Sequence, residues 1–161
     1  MIVVDFLRSK NPLAAGVMAG LTGGVVIWIY EALVWVQVQH LMLLTDIPRN
    51  AVGLVFGKQV MAAIGSAAYL LGSAIHFFFA MAWGVLFALI WPSLRRNGIE
   101  ASLVALFFAL LAWIVMHVAI SLVSDIHPAY TEPAVILGGY VSHLFYAVPM
   151  ALQVKARLKV T

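Results

Sequence analysis

Apolar residues dominate four stretches of the chain, about 13–40, 66–91, 100–124 and 134–154, and the polar residues gather in the short segments between them. Each stretch reaches the roughly 20 residues that a helix needs to cross a bilayer. The pattern predicts an all-α fold, an integral membrane four-helix transmembrane bundle forming a single domain. Ahead of the first span, Val3, Val4, Phe6 and Leu7 alternate with polar residues and precede Arg8 and Lys10. Such a lead lies in the membrane interface with its cations at the headgroups. Asn11-Pro12 then opens a helix, because proline is tolerated at the first helical position. Between the first two spans, residues 45–50 read as a turn and about 51–64 as a short interfacial helix. Trp91-Pro92 predicts the stop of the second span, with Trp35 and Trp91 as interface anchors.

Small and ionisable residues are placed periodically on these helices. Gly16, Gly20 and Gly24 recur every fourth residue and form a smooth ridge along one face of span one. Such a ridge lets a neighbouring helix, internal or from a partner, approach closely in lipid. Glu31 lies seven and eleven residues after Gly24 and Gly20, intervals that return to nearly the same direction on a helix. The other spans carry one histidine each: His76, His117 and His143. Counted along the helical rise from the end that carries the termini, His143 lies about 17 Å in, His76 about 22 Å, His117 about 24 Å and Glu31 about 21–27 Å. The spacing predicts one polar layer in the outer half of the bundle, away from the end that carries the termini, to which every span contributes a single buried ionisable group.

Composition and charge narrow the setting. Of 161 residues, 65% are hydrophobic and 9% charged, and mean hydropathy is +1.07. A soluble domain carries about a quarter charged residues, so the surroundings are lipid. The pI near 9.5 comes from basic residues scattered over loops and ends, which gives no nucleic-acid footprint. Arg8, Lys10, Arg95, Arg96, Lys155, Arg157 and Lys159 fall on one side of the membrane, against Arg49 and Lys58 on the other. By the positive-inside rule both termini are expected in the cytoplasm. The first apolar run is too long for a signal-peptide core and no A-x-A-like site closes it, so it reads as a retained span. No cysteine is present, which removes disulfides, thiolate metal sites and cysteine nucleophiles.

An ionisable group inside a membrane is costly, and its presence is a functional hypothesis. Imidazole and carboxylate ligands suit Zn, Cu, Fe or Ni. His76, His117 and His143 with Glu31 therefore make a candidate transition-metal set, Glu31 serving as fourth ligand or as a support. Two of the histidines on different helices are alternatively axial ligands for haem b. A third possibility is a proton-linked site in which Glu31 and the histidines titrate together. Against all three stands the plain alternative that each histidine bonds a backbone carbonyl or a serine (Ser73, Ser121, Ser142) of a packed helix. A chain of this kind also suits an accessory or structural subunit of a larger membrane complex, including a respiratory one, or a homo-oligomer. Catalysis has little support, since H-E-x-x-H, G-x-S-x-G and paired intramembrane carboxylates are all missing.

Several of these features occur together in a known order. A Gly-rich opening (Ala19-Gly20-Leu21-Thr22-Gly23-Gly24-Val25-Val26) is followed by Pro48-Arg49, His76 with phenylalanines after it, Trp91-Pro92, His117, a proline-containing loop and Ser142-His143. From about residue 15 to 157 this order resembles the YagU-like inner-membrane proteins. The resemblance implies a multi-pass protein of the bacterial cytoplasmic (inner) membrane linked to acid tolerance. Glu31 stands where that family has a lysine and Gly139 where it has a glutamate, so only the three histidine positions carry over.

Overall fold

The computed structural model describes residues 11–123 and 132–158. Five helices follow one another: α1 (Pro12–Tyr30), α2 (Asp46–Ala63), α3 (Ala67–Arg96), α4 (Ala101–Val123) and α5 (Pro133–Arg157). A π-helical segment, Glu31–Val38, continues α1. No strand occurs among the described residues. Among the described residues, four helices are long and apolar enough to cross a membrane, α1 with its π segment, α3, α4 and α5. The chain is a multi-pass membrane protein. Arg8, Lys10, the rest of the lead segment and Lys159 lie outside the described residues, as does the side chain of Ser121.

Side chains at the helix contacts are sorted by size rather than by polarity, with Phe87, Trp91 and Met150 as buried exceptions. Ala15, Ala19, Ala88, Ala105, Ala109 and Ala147 are wholly buried, whereas Leu70, Leu122, Phe107 and Phe78 face outward. In water this arrangement would expose the best sources of hydrophobic stabilisation. In lipid that driving force is absent between helices, and close van der Waals packing of small residues takes over. The Gly16/Gly20/Gly24 ridge is used internally, against α3. A Cβ on Gly84 of α3 would run into the Gly16 carbonyl and lie 2.7 Å from the Gly20 backbone. The two backbones therefore touch where α1 and α3 cross.

We call the end of the bundle that carries Pro12 and Arg157 the terminal end, and the other the distal end. At the terminal end α5 joins the α1/α3 pair, and Glu100 at the start of α4 binds Lys155 of α5 at 2.7 Å and Arg95 of α3 at 3.4 Å. Phe108 of α4 packs edge-on against Trp83 and Phe87 of α3, and Phe87 stacks on Trp91. Trp91 is thus 1% exposed and belongs to the core, not to the interface where the span-end position had placed it. Nor does Pro92 end its helix, which continues to Arg96. The stop is Gly98, at φ 75°, with Gly98 N–H donating to the Arg95 carbonyl and Ile99 N–H to that of Leu94. That is a Schellman closure, which needs a residue tolerant of the left-handed region.

The segment after span one begins its helix earlier than residues 45–50 suggest. Helix α2 starts at Asp46, whose carboxylate accepts the Leu43 N–H at 2.9 Å. Its first half lies against α3, where Gly72 leaves room for the Pro48 carbonyl to reach the α3 backbone. Gly57 then breaks the helix at φ 85°, ψ 166°, a conformation open essentially to glycine alone. Beyond the break the residues are mostly exposed.

Candidate functional site

The sorting by size fails at the distal end, and a cavity results. It has a volume of about 650 Å³ and is lined from all five helices. Glu31, His76, His117 and His143 all line it. The four spans do bring their intramembrane ionisable groups to one space.

Each group arrives by a different local route. Glu31 is the first residue of the π segment, where hydrogen bonds span five residues, as from Gln39 N–H to the Val34 carbonyl at 2.8 Å. Widened turns of this kind are frequent at functional sites. Glu31, Trp35 and Gln39 share the cavity face of that segment. His76 on α3 lies 5.7 Å from the Trp28 ring and 5.1 Å from the Phe77 ring, and one of its nitrogens, Nε2, is 3.0 Å from the Gly24 carbonyl of α1. His117 and His143 face each other from α4 and α5, with ring centroids 6.1 Å apart. Their Nδ1 atoms lie 2.6 Å from the Trp113 carbonyl and 2.8 Å from the Gly139 carbonyl. Gly139 also seats the neighbouring indole, since a Cβ there would come within 2.5 Å of Trp113 Nε1.

These contacts fix the tautomers. A carbonyl oxygen only accepts, so the imidazole nitrogen beside it must carry the hydrogen. His76 therefore donates through Nε2–H, and His117 and His143 through Nδ1–H. In the neutral rings the opposite nitrogens are acceptors. Ser142 gives its hydroxyl hydrogen to the Gly139 carbonyl at 2.8 Å, and Tyr146 gives its own to the Ala80 carbonyl of α3 at 2.7 Å. The plain reading of the histidines, a bond to a carbonyl of a packed neighbouring helix, holds for His76, whereas His117 and His143 bond carbonyls one turn back on their own helices. Ser73, offered as a partner, turns back to the Tyr69 carbonyl of its own helix.

Sharing a cavity is not converging on a point. Among the described residues, no three His, Cys, Asp or Glu side chains form a group that could hold a metal ion. The structure pairs His117 with His143 and places Glu31 and His76 elsewhere on the wall.

Other lining residues had escaped notice. Ile47, Asn50, Ala51 and Leu54 of α2 cover the cavity at positions i, i+3, i+4 and i+7, so α2 is a wall and not merely a surface helix. That periodicity is legible, but a hydrophobic stripe does not say what it faces. Trp35 lines the cavity too, along with Phe79, Trp83 and Tyr146. Compared with protein-family models, curated proteins and solved structures, the chain matches none.

Proposed function

We propose that this membrane protein binds a small amphiphilic organic molecule in its distal half, with Glu31 and the histidines as polar anchors and the aromatic side chains as an apolar bed. The observation that supports this reading most is the cavity itself. Its volume of about 650 Å³ lies in the usual range for small-molecule sites, about 300–1,000 Å³. Its lining has the matching chemistry, mostly apolar with a few placed polar groups. Metal ions need ligands drawn to one point, whereas an organic ligand uses anchors spread around it. We further assign the protein to the bacterial cytoplasmic membrane with both termini inside, on the distribution of Arg95, Arg96, Lys155 and Arg157 at the terminal end and on the resemblance to the YagU-like proteins.

The test compares the small molecules retained by the purified wild-type protein with those retained by Ala51→Trp, which fills the cavity from α2. A stoichiometric organic compound present only in the wild type is the expected result. Other outcomes replace the reading. A Soret band would install haem b, and one metal per chain lost in His143→Ala would install a transition-metal site. A bound polypeptide, with identical small molecules in both proteins, would install the accessory-subunit role.

A further inference from the structure

We infer that the ligand is an amphiphilic amine, an organic cation bearing at least one N–H on an apolar body, held through Glu31. This deepens the reading above and rests on it.

Among the described residues, Glu31 is the only Asp or Glu on the cavity surface, and no lysine or arginine lines it. Among the described residues the Glu31 side chain accepts no hydrogen bond and forms no ion pair. A carboxyl group surrounded by apolar side chains without a partner is costly, and a ligand that supplies the partner removes that cost.

Hydrogen-bonding capacity points the same way. The donors of His76, His143, Ser142 and Tyr146 are spent on backbone carbonyls. What these groups and Glu31 leave toward the cavity is acceptors: the carboxylate, His76 Nδ1 and His143 Nε2. The unsatisfied Trp113 N–H lies behind Gly139, off the cavity surface. The fixed donors on that surface are the indoles of Trp35 and Trp83, while the amides of Gln39 and Asn50 supply both kinds of group. An anionic ligand would face Glu31 with no cation to receive it. A neutral donor would bond the carboxylate without bringing the opposite charge. An ammonium group matches the charge, and its N–H matches the acceptors through charge-assisted bonds. The rings of Trp35, Phe79, Trp83 and Tyr146 suit both the apolar body and the cation.

The experiment uses the full chain in lipid nanodiscs, with empty nanodiscs as the partition control. Tryptophan fluorescence reports binding of two probes of equal shape, N-hexyl-1-naphthylmethylamine and hexyl 1-naphthylmethyl ether. The amine should bind the wild type more tightly than the ether. Glu31→Gln should weaken the amine by about tenfold or more and leave the ether unchanged. Unchanged ether binding also shows that the variant is folded with its cavity intact. Glu31→Asp should restore part of the amine affinity. Equal binding of the two probes, untouched by Glu31→Gln, would overturn the amine assignment while the cavity reading stands. Failure of both probes to bind the wild type would overturn the two together.

Discussion

The terminal and distal halves of this bundle use the same helices in opposite ways. At the terminal end α1 and α3 touch backbone to backbone at Gly16, Gly20 and Gly84, and alanines, Phe87 and Trp91 fill what is left. At the distal end the same two helices enclose a space wide enough for a small molecule, and α2 is brought in as an extra wall. The contrast follows from residue size. Where small residues face each other, lipid-embedded helices close up. Where Glu31, Trp35, His76 and Phe79 line the interior, a cavity remains between the helices. The dry half fixes the frame, and the open half carries the polar groups.

The largest expected effect breaks the dry half. Gly84→Val drives side-chain carbon into the Gly16 and Gly20 backbone, where nothing flexible can yield. It should cost about 3 kcal/mol or more, at the top of the range for overpacking, read as a fall in thermal unfolding temperature in detergent. A smaller loss is expected at the boundary between the halves. Tyr146→Phe removes the bond that ties α5 to the Ala80 carbonyl of α3, and should cost about 1 kcal/mol in the same measurement.

In the open half the sign of the comparison changes. Glu31 has no partner to lose among the described residues and its unpaired carboxyl is costly, so Glu31→Gln should leave stability unchanged or raise it by up to about 1 kcal/mol. A large destabilisation on thermal melting would mean that Glu31 is a structural residue. The smallest effect belongs to the exposed charges of the terminal end. The Lys155 ammonium bonded to Glu100, with Arg95 beside it, holds that carboxyl below the usual carboxylate range. A carboxylate lowered in the folded state adds stability above its unfolded-state pKa, and the gain is lost as pH falls through the folded value. The pair is exposed, so the acid-side loss should be slight and should vanish in high salt. A melting curve of Glu100→Gln at neutral and acid pH, with and without salt, checks this.

How much of this was legible in the sequence differs between the halves as well. The glycine ridge and the four apolar runs state their own packing, because in lipid small residues have one strong use and 20 apolar residues about one geometry. The common depth of Glu31, His76, His117 and His143 also followed from helical rise alone. Which of them pair did not. Rotation and splay of the helices decide that, and His76 turned to the Gly24 carbonyl while His117 met His143. The π winding after Tyr30 leaves no mark in composition. Pro92 misled because proline stops a helix less surely than Gly98 does in a Schellman closure. Residues 51–64 read as a short interfacial helix, and only the packing shows that the Ile47–Leu54 face of α2 closes the cavity.

One measurement separates an open distal half from a dry terminal half. The chain has no cysteine, so a single thiol can be placed in each by the same mild change. Ala51→Cys puts it on the cavity wall, and Ala88→Cys puts it among buried helices at the other end. A small polar methanethiosulfonate reagent should modify the first readily and the second hardly at all, and N-hexyl-1-naphthylmethylamine should slow the first reaction. Equal rates at the two positions would contradict the division of the bundle into a packed half and a binding half.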